Sequence, residues 1–462
     1  MKNIFTSFAV TLVMLFAASC EKTPVTDGSD GLATPIFSCT VSDNSILVTW
    51  DAVSGAAYYE LTLNNNEPVK TDKTLYRFED LKYETEYTVK LQAIAADATK
   101  NSEVSVKSVA IGKRTVPVYR EWYPLNNVSA TAISDNGRWV VGGNDHQGII
   151  IDLNTDEITM VENFEFADVA DDGIGVGAYY GDSMSGEAAL YINGTISKIN
   201  IKELTTSDMS SLTGITPDGE YIVGWWAEYD ESSYYGSKYG MFVPFCYDVL
   251  KDSITVPEAG QWPYEVYALS ACGVSPDRRI LGFMQSSGPM SLVMWDDEYT
   301  PYEPVCFEYD SEYNPTLAFG DQNSHFSPSG NYISGFVKTF EFGESQQPAV
   351  YDCEADEVIT MTGIGQATCV TDDGIAFLND TPYYIGTTSY VVDLKGDISE
   401  QTPIIDWLLD THQIDLYNYI QEGIITIGAS ADGRKLLGIT NTDSGWLSYV
   451  IDLDGEPMPE IE

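Results

Sequence analysis

A short motif that occurs seven times constrains the fold of this chain more than any other feature. Its clearest copy, residues 133–143 (ISDNGRWVVGG), is an apolar segment, a Ser, an Asn-Gly pair and a second apolar segment ending in Gly. An Asx-Gly pair between two apolar runs is a strong hairpin signal, because both residues accept positive φ. The seven turn pairs are Asn136-Gly137, Asp172-Gly173, Asp218-Gly219, Asp277-Arg278, Ser329-Gly330, Asp373-Gly374 and Asp432-Gly433. Arg278 breaks the pattern at the Gly position of the fourth copy.

The spacing of the motif favours a toroidal repeat. Successive copies lie 36 to 59 residues apart, a period typical of propeller blades with strand-like flanks. In the first copy, two further apolar segments (148–153 and 157–161) follow the hairpin, which gives four strands. The core S-x-D-G-x-x-V-x-G resembles the repeats of TolB-like and autotransporter-type propellers. That resemblance implies a seven-bladed β-propeller over residues 116–462.

Two segments do not fit a simple count of four strands for each copy. The seventh copy supplies only three strands, and residues 116–122 (VPVYREW) precede the first copy without a blade of their own. We predict that this segment completes the last blade and closes the ring, which leaves no open sheet edge. Residues 403–423 open with Pro, close with Gly and have helical apolar spacing, which predicts one or two short helices before the last blade.

The N-terminus has the pattern of a targeting segment. Lys2 is followed by an apolar run over residues 4–16 and by small residues before Cys20, too short a run for a spanning helix. This pattern resembles a bacterial lipobox. The resemblance implies a signal peptide over 1–19, lipidation of Cys20 and a flexible tether over 20–33. It also implies an outer-membrane lipoprotein of a Gram-negative bacterium, periplasmic or surface-exposed, that contacts the membrane through its lipid anchor only. A plain secretory peptide with an incidental Cys is the alternative.

Residues 34–113 predict a small antiparallel sandwich, since short segments with alternating apolar residues are separated by turn signals. Leu81 lies six residues before Tyr87, and Trp50 ends an early strand. This arrangement resembles the fibronectin type III pattern, in which the Tyr forms a tyrosine corner and the Trp lies in the core. The resemblance implies a spacer or docking module. The whole chain is therefore expected to be all-β: a fibronectin type III-like sandwich, a propeller and one helical insertion.

The charge of the chain is extreme and unevenly distributed. The formal net charge is −47, and residues 116–462 carry 56 acidic against 12 basic side chains. Such a surface repels polyanions, so we expect no nucleic-acid partner. Clustered carboxylates at Asp171-Asp172 and at residues 296–298 (DDE) predict at most weak calcium binding, and solubility is the alternative role. We expect no cofactor and no dedicated metal site.

Signatures of catalysis are scarce. The three histidines, His146, His325 and His412, lie far apart in the sequence with no HExxH motif. Residues 152–156 (DLNTD) start like a calcium loop, but Glu157 occupies the position that needs Gly. Five cysteines follow Cys39, and pairs such as Cys353 with Cys369 or Cys272 with Cys306 are as compatible with disulfides as with buried free thiols. We therefore assign no catalytic residue.

Aromatic residues next to carboxylates mark three long loops on the face opposite the Asx-Gly turns. Rigid scaffolds present ligand sites on such loops, and aromatic rings beside carboxylates and amides suit sugar rings. We therefore expect a glycan or an envelope protein as partner. The alternative for any one of these rings is that it covers a blade edge. The candidate ligand-binding residues are Trp225, Trp226, Glu228, Tyr229, Tyr234, Tyr235, Tyr239, Tyr302, Tyr309, Tyr313, Tyr383 and Tyr384.

Two other function classes stay open from the sequence. A carbohydrate-active propeller hydrolase or lyase needs two or three carboxylates around the central channel, and the many acidic residues allow such a set. A structural scaffold for an envelope complex is the third class.

Overall fold

The computed structural model divides the chain into two compact units, Met1–Arg114 and Thr115–Glu462. It describes residues 31–459 except 43–44, 80, 84, 113–115, 123–128, 182–184, 202, 206, 229–240, 260–265, 287–289, 300–302, 306, 310–314, 340–344, 380–388, 421–423 and 443–444. The predicted signal peptide and Cys20 lie outside these residues. Across the described part of the chain, no helix is long and apolar enough to cross a membrane.

The first unit is a sandwich of two antiparallel sheets. Its strands are β1 Phe37–Ser42, β2 Ser45–Trp50, β3 Ala56–Leu63, β4 Val69–Thr71, β5 Leu75–Phe78, β6 Thr85–Ala95 and β7 Ser105–Ile111. One sheet has the order β1-β2-β5 and the other β4-β3-β6-β7. Because alternate residues of β3 and β6 are buried, one face of their sheet supplies the core.

The two residues that the sequence assigns to the core of this unit are buried there. Trp50 and Tyr87 are both buried, and the Trp50 ring meets Tyr59 edge-on with ring centroids 5.2 Å apart. The Tyr87 hydroxyl accepts a hydrogen bond of 2.8 Å from the backbone N–H of Lys82. This bond back to the residues just upstream is the tyrosine corner that the sequence predicts.

In the part of the chain that the structure describes, the second unit contains seven antiparallel sheets of four or five strands. The first three sheets are formed by β9 Ala130–Ile133, β10 Trp139–Asn144, β11 Gln147–Asp152 and β12 Glu157–Glu162; by β13 Phe164–Val169, β14 Gly175–Tyr179, β15 Glu187–Ile192 and β16 Thr195–Lys198; and by β17 Ser210–Ile215, β18 Tyr221–Ala227, β19 Phe242–Asp248 and β20 Ser253–Thr255. The next two are formed by β21 Val266–Val274, β22 Ile280–Ser286, β23 Ser291–Trp295 and β24 Glu303–Pro304; and by β25 Phe307–Tyr309, β26 Pro315–Phe319, β27 Tyr332–Thr339, β28 Ser345–Asp352 and β29 Glu357–Thr360. The last two are formed by β30 Gln366–Val370, β31 Ile375–Asn379, β32 Ser389–Asp393 and β33 Thr402–Pro403; and by β34 Ile424–Ala429, β35 Lys435–Thr442, β36 Gly445–Asp452 and β8 Tyr119–Trp122.

The predicted Asx-Gly pairs form the tight turns between the first two long strands of each sheet. The second residue of all seven pairs has positive φ, and Arg278 adopts φ 71° in spite of its side chain. In the first turn, the buried Ser134 hydroxyl accepts N–H bonds from Arg138 and Trp139, at 3.2 and 3.0 Å. The Ser of the motif therefore satisfies backbone groups inside the turn.

A later Gly of the motif allows close packing of the first two strands. A Cβ atom at Gly177 would lie 1.9 Å from the carbonyl oxygen of Glu165, and one at Gly142 would lie 2.1 Å from that of Ser129. Only a residue without a Cβ atom fits there.

The ring closes as predicted. β8 pairs antiparallel with β36, and Tyr119 lies opposite Ile451. The segment before the first copy of the motif thus supplies the fourth strand of the last sheet, and together these sheets form a β-propeller. The helical insertion is one helix, α1 Ile404–His412, and it is shorter than predicted. Gln413 ends it by adopting φ 59°, while its N–H bonds the carbonyls of Leu408 and Leu409.

The described cysteines are free thiols: Cys39, Cys246, Cys272, Cys353 and Cys369. The disulfide considered between Cys353 and Cys369 is therefore absent. Cys369 is buried in an apolar cluster with Phe377 and Leu436, which fits the alternative of a buried thiol.

Candidate functional site

The innermost strands of six sheets share a β-bulge that is not visible in the sequence. In each of them one residue lies opposite no partner on the neighbouring strand: Thr131, Ala167, Thr213, Cys272, Thr368 and Ile427. A bulge re-aims a side chain at the point where it interrupts the ladder. These six side chains and His325 of the fifth sheet line the central channel at the same level, and we call the seven of them the waist.

The threonines of the waist connect neighbouring sheets. Thr213 Oγ1 donates to the carbonyl of Ala271 in the next sheet at 2.9 Å, and it lies 3.4 Å from that of Val223 in its own sheet. Thr131 and Thr368 make the equivalent contacts to the next sheet, with Phe166 at 3.2 Å and Thr426 at 2.6 Å. The waist is therefore fixed by side-chain bonds as well as by the sheets themselves.

The waist lies between two compartments of the channel. The compartment on the face of the Asx-Gly turns, which we call the turn-side compartment, has a volume of about 170 Å³. The compartment on the opposite face, the loop-side compartment, has a volume of about 750 Å³, within the range of sites for small organic ligands. Only the second can hold a ligand of several sugar-sized groups.

Among the described residues, the loop-side compartment combines one indole ring with amides and one carboxylate. Trp225 on β18 lines it, with its ring centroid 4.7 Å from that of Phe242. Four amide side chains line it as well: Gln322, Asn323, Gln366 and Asn379. Amide groups donate and accept hydrogen bonds, so this wall suits a ligand rich in hydroxyl groups.

Glu165 is the carboxylate of this compartment, and it already has protein partners. Its Oε1 accepts the backbone N–H of His146 at 2.7 Å, and its Oε2 lies 3.2 Å from the Tyr180 hydroxyl. His146 and Tyr180 stack with ring centroids 4.0 Å apart. These contacts hold Glu165 in place as a positioned acceptor.

The fifth sheet differs from the others, because its innermost strand is interrupted. β26 ends at Phe319, and pairing resumes only at Phe326, which bridges to Ile333. The intervening loop places Gln322, Asn323 and His325 against the channel. By spacing from the turn motif, Ser324 corresponds to the bulge residues of the other sheets, but Ser324 is buried and His325 takes the channel position.

His325 is the imidazole of the waist. Its side chain has accessible surface within the channel, yet the surrounding strands enclose it, and this burial lowers its pKa below the ordinary value. The imidazole is therefore neutral at physiological pH, with one nitrogen donating and the other accepting.

The turn-side compartment contains two carboxyl groups. Burial raises the pKa of Asp135 to about 7, and the charges of Asp168, Asp171 and Asp372 add to the effect. Burial likewise raises the pKa of Asp168 to about 6. Asp168 has a structural role, since its oxygens accept N–H bonds from Val169 at 2.8 Å and from Ile215 of the next sheet at 3.1 Å.

The structure brings few of the predicted site residues into the channel. Trp225 lines the loop-side compartment, whereas the next residue, Trp226, is buried and stacks on Phe245 at 5.4 Å. We therefore remove Trp226 from the candidate site as a core residue. Glu228 is exposed and Tyr309 lies on β25. The other candidates lie outside the described residues: Tyr229, Tyr234, Tyr235, Tyr239, Tyr302, Tyr313, Tyr383 and Tyr384.

The described part of the chain contains no cluster of side chains that supports metal binding. There, no group of three or more His, Cys, Asp or Glu side chains is close enough to hold a metal ion. Weak calcium binding by the carboxylates of the turns stays a prediction.

Comparison with known proteins identifies the first unit. Its residues 34–108 match the family model of the fibronectin type III domain. The N-terminal sandwich is a fibronectin type III domain. This domain carries the tyrosine corner described above. A search of curated proteins with the whole chain gave no match.

Solved propeller structures resemble the chain only distantly. A putative TolB from Agrobacterium tumefaciens is 14% identical, with a TM-score of 0.37 over 57% of this chain and 86% of its own. An oligogalacturonate lyase in complex with manganese is 11% identical, with a TM-score of 0.47 over 73% of this chain and 97% of its own. The β-propeller domain of the trilobed protease from Pyrococcus furiosus is 11% identical, with a TM-score of 0.39 over 80% of this chain and 97% of its own. The assignment of the second unit as a β-propeller therefore depends on the strand pairings of this chain. The first unit is assigned separately, as a fibronectin type III domain.

Proposed function

We propose that this protein is a non-catalytic binding protein of the cell envelope, whose propeller takes up part of a glycan in the loop-side compartment. The observation that carries the proposal is the lining of this cavity of about 750 Å³. It offers the ring of Trp225, amide groups and the positioned carboxylate of Glu165. Sugars bind through stacking of their C–H faces on aromatic rings and through hydrogen bonds to side chains of this type.

Apart from Glu165, the described lining is neutral, which favours a glycan over an anionic ligand at this end of the channel. Gln322 and Asn323 are exposed within the loop of the fifth sheet, and the neutral His325 lies at the floor. Each of these groups both donates and accepts hydrogen bonds, as hydroxyl groups do. The fibronectin type III domain then acts as a spacer between the anchor and the propeller.

Native affinity gels that contain soluble polysaccharides test this function. We expect wild type to be retarded by at least one neutral polysaccharide and Trp225→Ala to migrate freely. Tyr417→Ala serves as the matched control, because Tyr417 is an exposed aromatic residue that does not line the channel. Retardation of Trp225→Ala equal to that of wild type would remove the loop-side compartment from the interaction.

The alternative is a carbohydrate-active hydrolase or lyase that uses Asp135 and Asp168. The observation that favours it is that both carboxyl groups have raised pKa values in one narrow compartment, as general acids require. Release of reducing or unsaturated ends from a polysaccharide by wild type, and its absence with Asp135→Asn, would establish this function. Wild type without such activity would favour binding.

The lipid anchor is a separate part of the proposal. Cys20 follows an apolar run and small residues, and acyl chains contribute roughly 0.8 kcal/mol for each buried methylene. We expect Cys20→Ala to move the protein from the membrane fraction to the soluble fraction. An unchanged distribution would contradict lipidation at this position.

A further inference from the structure

Arg278 occupies a position that is Gly in the other six turns of the propeller. The six glycines have positive φ, as Gly is free to do, and Arg278 adopts φ 71° at the same place. This left-handed conformation is unfavourable for a residue with a Cβ atom. Backbone strain of this kind concentrates at functional sites, so the side chain of Arg278 is a candidate for a functional role.

The Arg278 guanidinium has an aromatic partner, but the described residues form no ion pair with it. It lies over the ring of Tyr221, 3.7 Å from the ring centroid, and none of the described ion pairs includes it. Its neighbour Arg279 differs, since it pairs with Asp277 at 2.9 Å and donates to the carbonyl of Gly330. Arg279 is thus a structural residue of the turn, whereas the donors of Arg278 are left for another partner.

Arg278 borders a groove of about 290 Å³ between the third and fourth sheets. Lys251 lies on the same groove, and the hydroxyls of Ser253, Thr255 and Tyr299 line it. Tyr299 is a second residue with positive φ, at 58°. Two residues in the left-handed conformation therefore meet at one groove.

The groove contains two cations, Arg278 and Lys251, and two carboxylates, Asp248 and Asp297, and its described ion pair joins Lys251 to Asp248. Asp248 is saturated, because Lys251 Nζ lies 2.6 Å and the Tyr221 hydroxyl 3.0 Å from the same carboxylate oxygen. Asp297 also lines the groove and is exposed, and no described ion pair joins it to Arg278. A guanidinium with free donors binds carboxylate, sulfate or phosphate oxygens in a bidentate manner.

The corresponding groove between the first and second sheets lacks this arrangement. Gly173 replaces Arg278 there, and Glu157 lies where Ser253 lies in the other groove. The Arg138 guanidinium beside it is already paired with Asp152 at 2.9 Å. The comparison indicates that Arg278 is an addition to one groove rather than a requirement of the repeat.

We propose that the groove between the third and fourth sheets binds an oxyanion, with Arg278 as the main ligand and Lys251, Ser253 and Thr255 as further donors. The oxyanion is a carboxylate, sulfate or phosphate, either free or as a substituent of a larger ligand. This site is separate from the channel, and it is independent of the proposed glycan binding.

Thermal unfolding of the full chain in the presence of anions tests the site. The probes are inorganic sulfate, inorganic phosphate and glucuronate, each compared with sodium chloride at the same ionic strength. We expect at least one of them to raise the melting temperature of wild type in a saturable manner. Since sulfate and phosphate also stabilise proteins in general, the measured quantity is the difference between wild type and variant.

Arg278→Gly is the decisive variant, because Gly relieves the backbone conformation and is the residue of the other six turns. We expect it to melt at or above the wild-type temperature in chloride and to bind the anion at least tenfold more weakly. Arg434→Ala is the control, as Arg434 is an exposed arginine paired with Asp454 at 3.4 Å, and it should respond to anions as wild type does.

Two results would overturn the proposal. One is an anion response of Arg278→Gly equal to that of wild type. The other is the absence of a saturable anion response of wild type; a lower melting temperature of Arg278→Gly in chloride would then make Arg278 a structural cover for Tyr221. A response to inorganic sulfate or phosphate identifies a free anion as sufficient, whereas a response to glucuronate alone identifies a carboxylated sugar. Both of these support the site, and neither affects the Trp225 experiment.

Discussion

The buried carboxyl of Asp135 should make the propeller less stable as the pH rises, and replacing it by Asn should remove this effect. In the folded state burial raises the pKa of Asp135 to about 7, from an ordinary value of 3.8. Between these two values the unfolded chain has lost the proton while the folded chain still holds it. The free energy of unfolding therefore falls as the pH rises from about 4 to 7, and the loss is complete above pH 7.

The structure sets the size of this effect. Each pKa unit corresponds to about 1.4 kcal/mol, so a rise from 3.8 to about 7 gives an upper limit of about 4 kcal/mol. Asp135 is half-buried and borders a channel that admits water, and this solvent reduces the cost of the charge. We therefore expect Asp135→Asn to be about 1–2 kcal/mol more stable than wild type at pH 8, and nearly equal to it at pH 4.

Urea unfolding followed by tryptophan fluorescence at pH 4, 6 and 8 measures this difference. Asp145→Asn provides the control, since Asp145 is an exposed residue with φ 51°, a conformation that Asn also adopts readily. The control should change the free energy of unfolding by the same small amount at each pH. An advantage of Asp135→Asn that stays constant from pH 4 to 8, or a loss of stability at pH 8, would refute the reasoning.

Three further predictions concern packing and pairing. Gly177→Ala should destabilise the propeller by about 3 kcal/mol, because its Cβ would lie 1.9 Å from the Glu165 carbonyl oxygen. Gly194→Ala, with φ 84° but open space around the Cβ, should cost about 1 kcal/mol. Equal unfolding midpoints of the two variants in urea would contradict this. Tyr87→Phe should lower the stability of the fibronectin type III domain by about 1 kcal/mol, because the hydrogen bond from Lys82 is lost. Calorimetry of the domain measures this change. An unchanged melting temperature would argue against the tyrosine corner as a stabilising bond. Removal of the chain through the end of β8 leaves the edge of β36 unpaired and should cause concentration-dependent association in light scattering; a monomer with an unchanged melting temperature would argue against closure by β8.

The architecture could be predicted because a few local residues determine it. A turn between two strands needs positive φ at one position, so Gly137 and its counterparts mark each sheet in the sequence. The closing strand was predictable for a different reason, since the last copy of the motif lacked a strand and residues 116–122 lacked a sheet.

The candidate site was harder to predict, because it depends on register. A bulge shifts which side chain faces the channel by one residue, and its sequence does not differ from that of a regular strand. Even in a regular strand one residue decides the environment: Trp225 and Trp226 are adjacent on β18 and their side chains alternate, so Trp225 lines the channel and Trp226 lies in the core. Spacing from the turn motif would likewise have selected Ser324 instead of His325.

Closure by β8 also determines when the propeller can be completed during synthesis. Trp122 pairs with Ser448, so the ribosome must add 326 further residues (448 minus 122) before that pair forms. Pairing over such a distance costs much loop-closure entropy and is slow to form. Until that pair forms, β8 has no partner strand and the last sheet, which closes the ring, is incomplete. A chain truncated before the last sheet would therefore expose the apolar faces of the first and sixth sheets that pack on it, which favours aggregation.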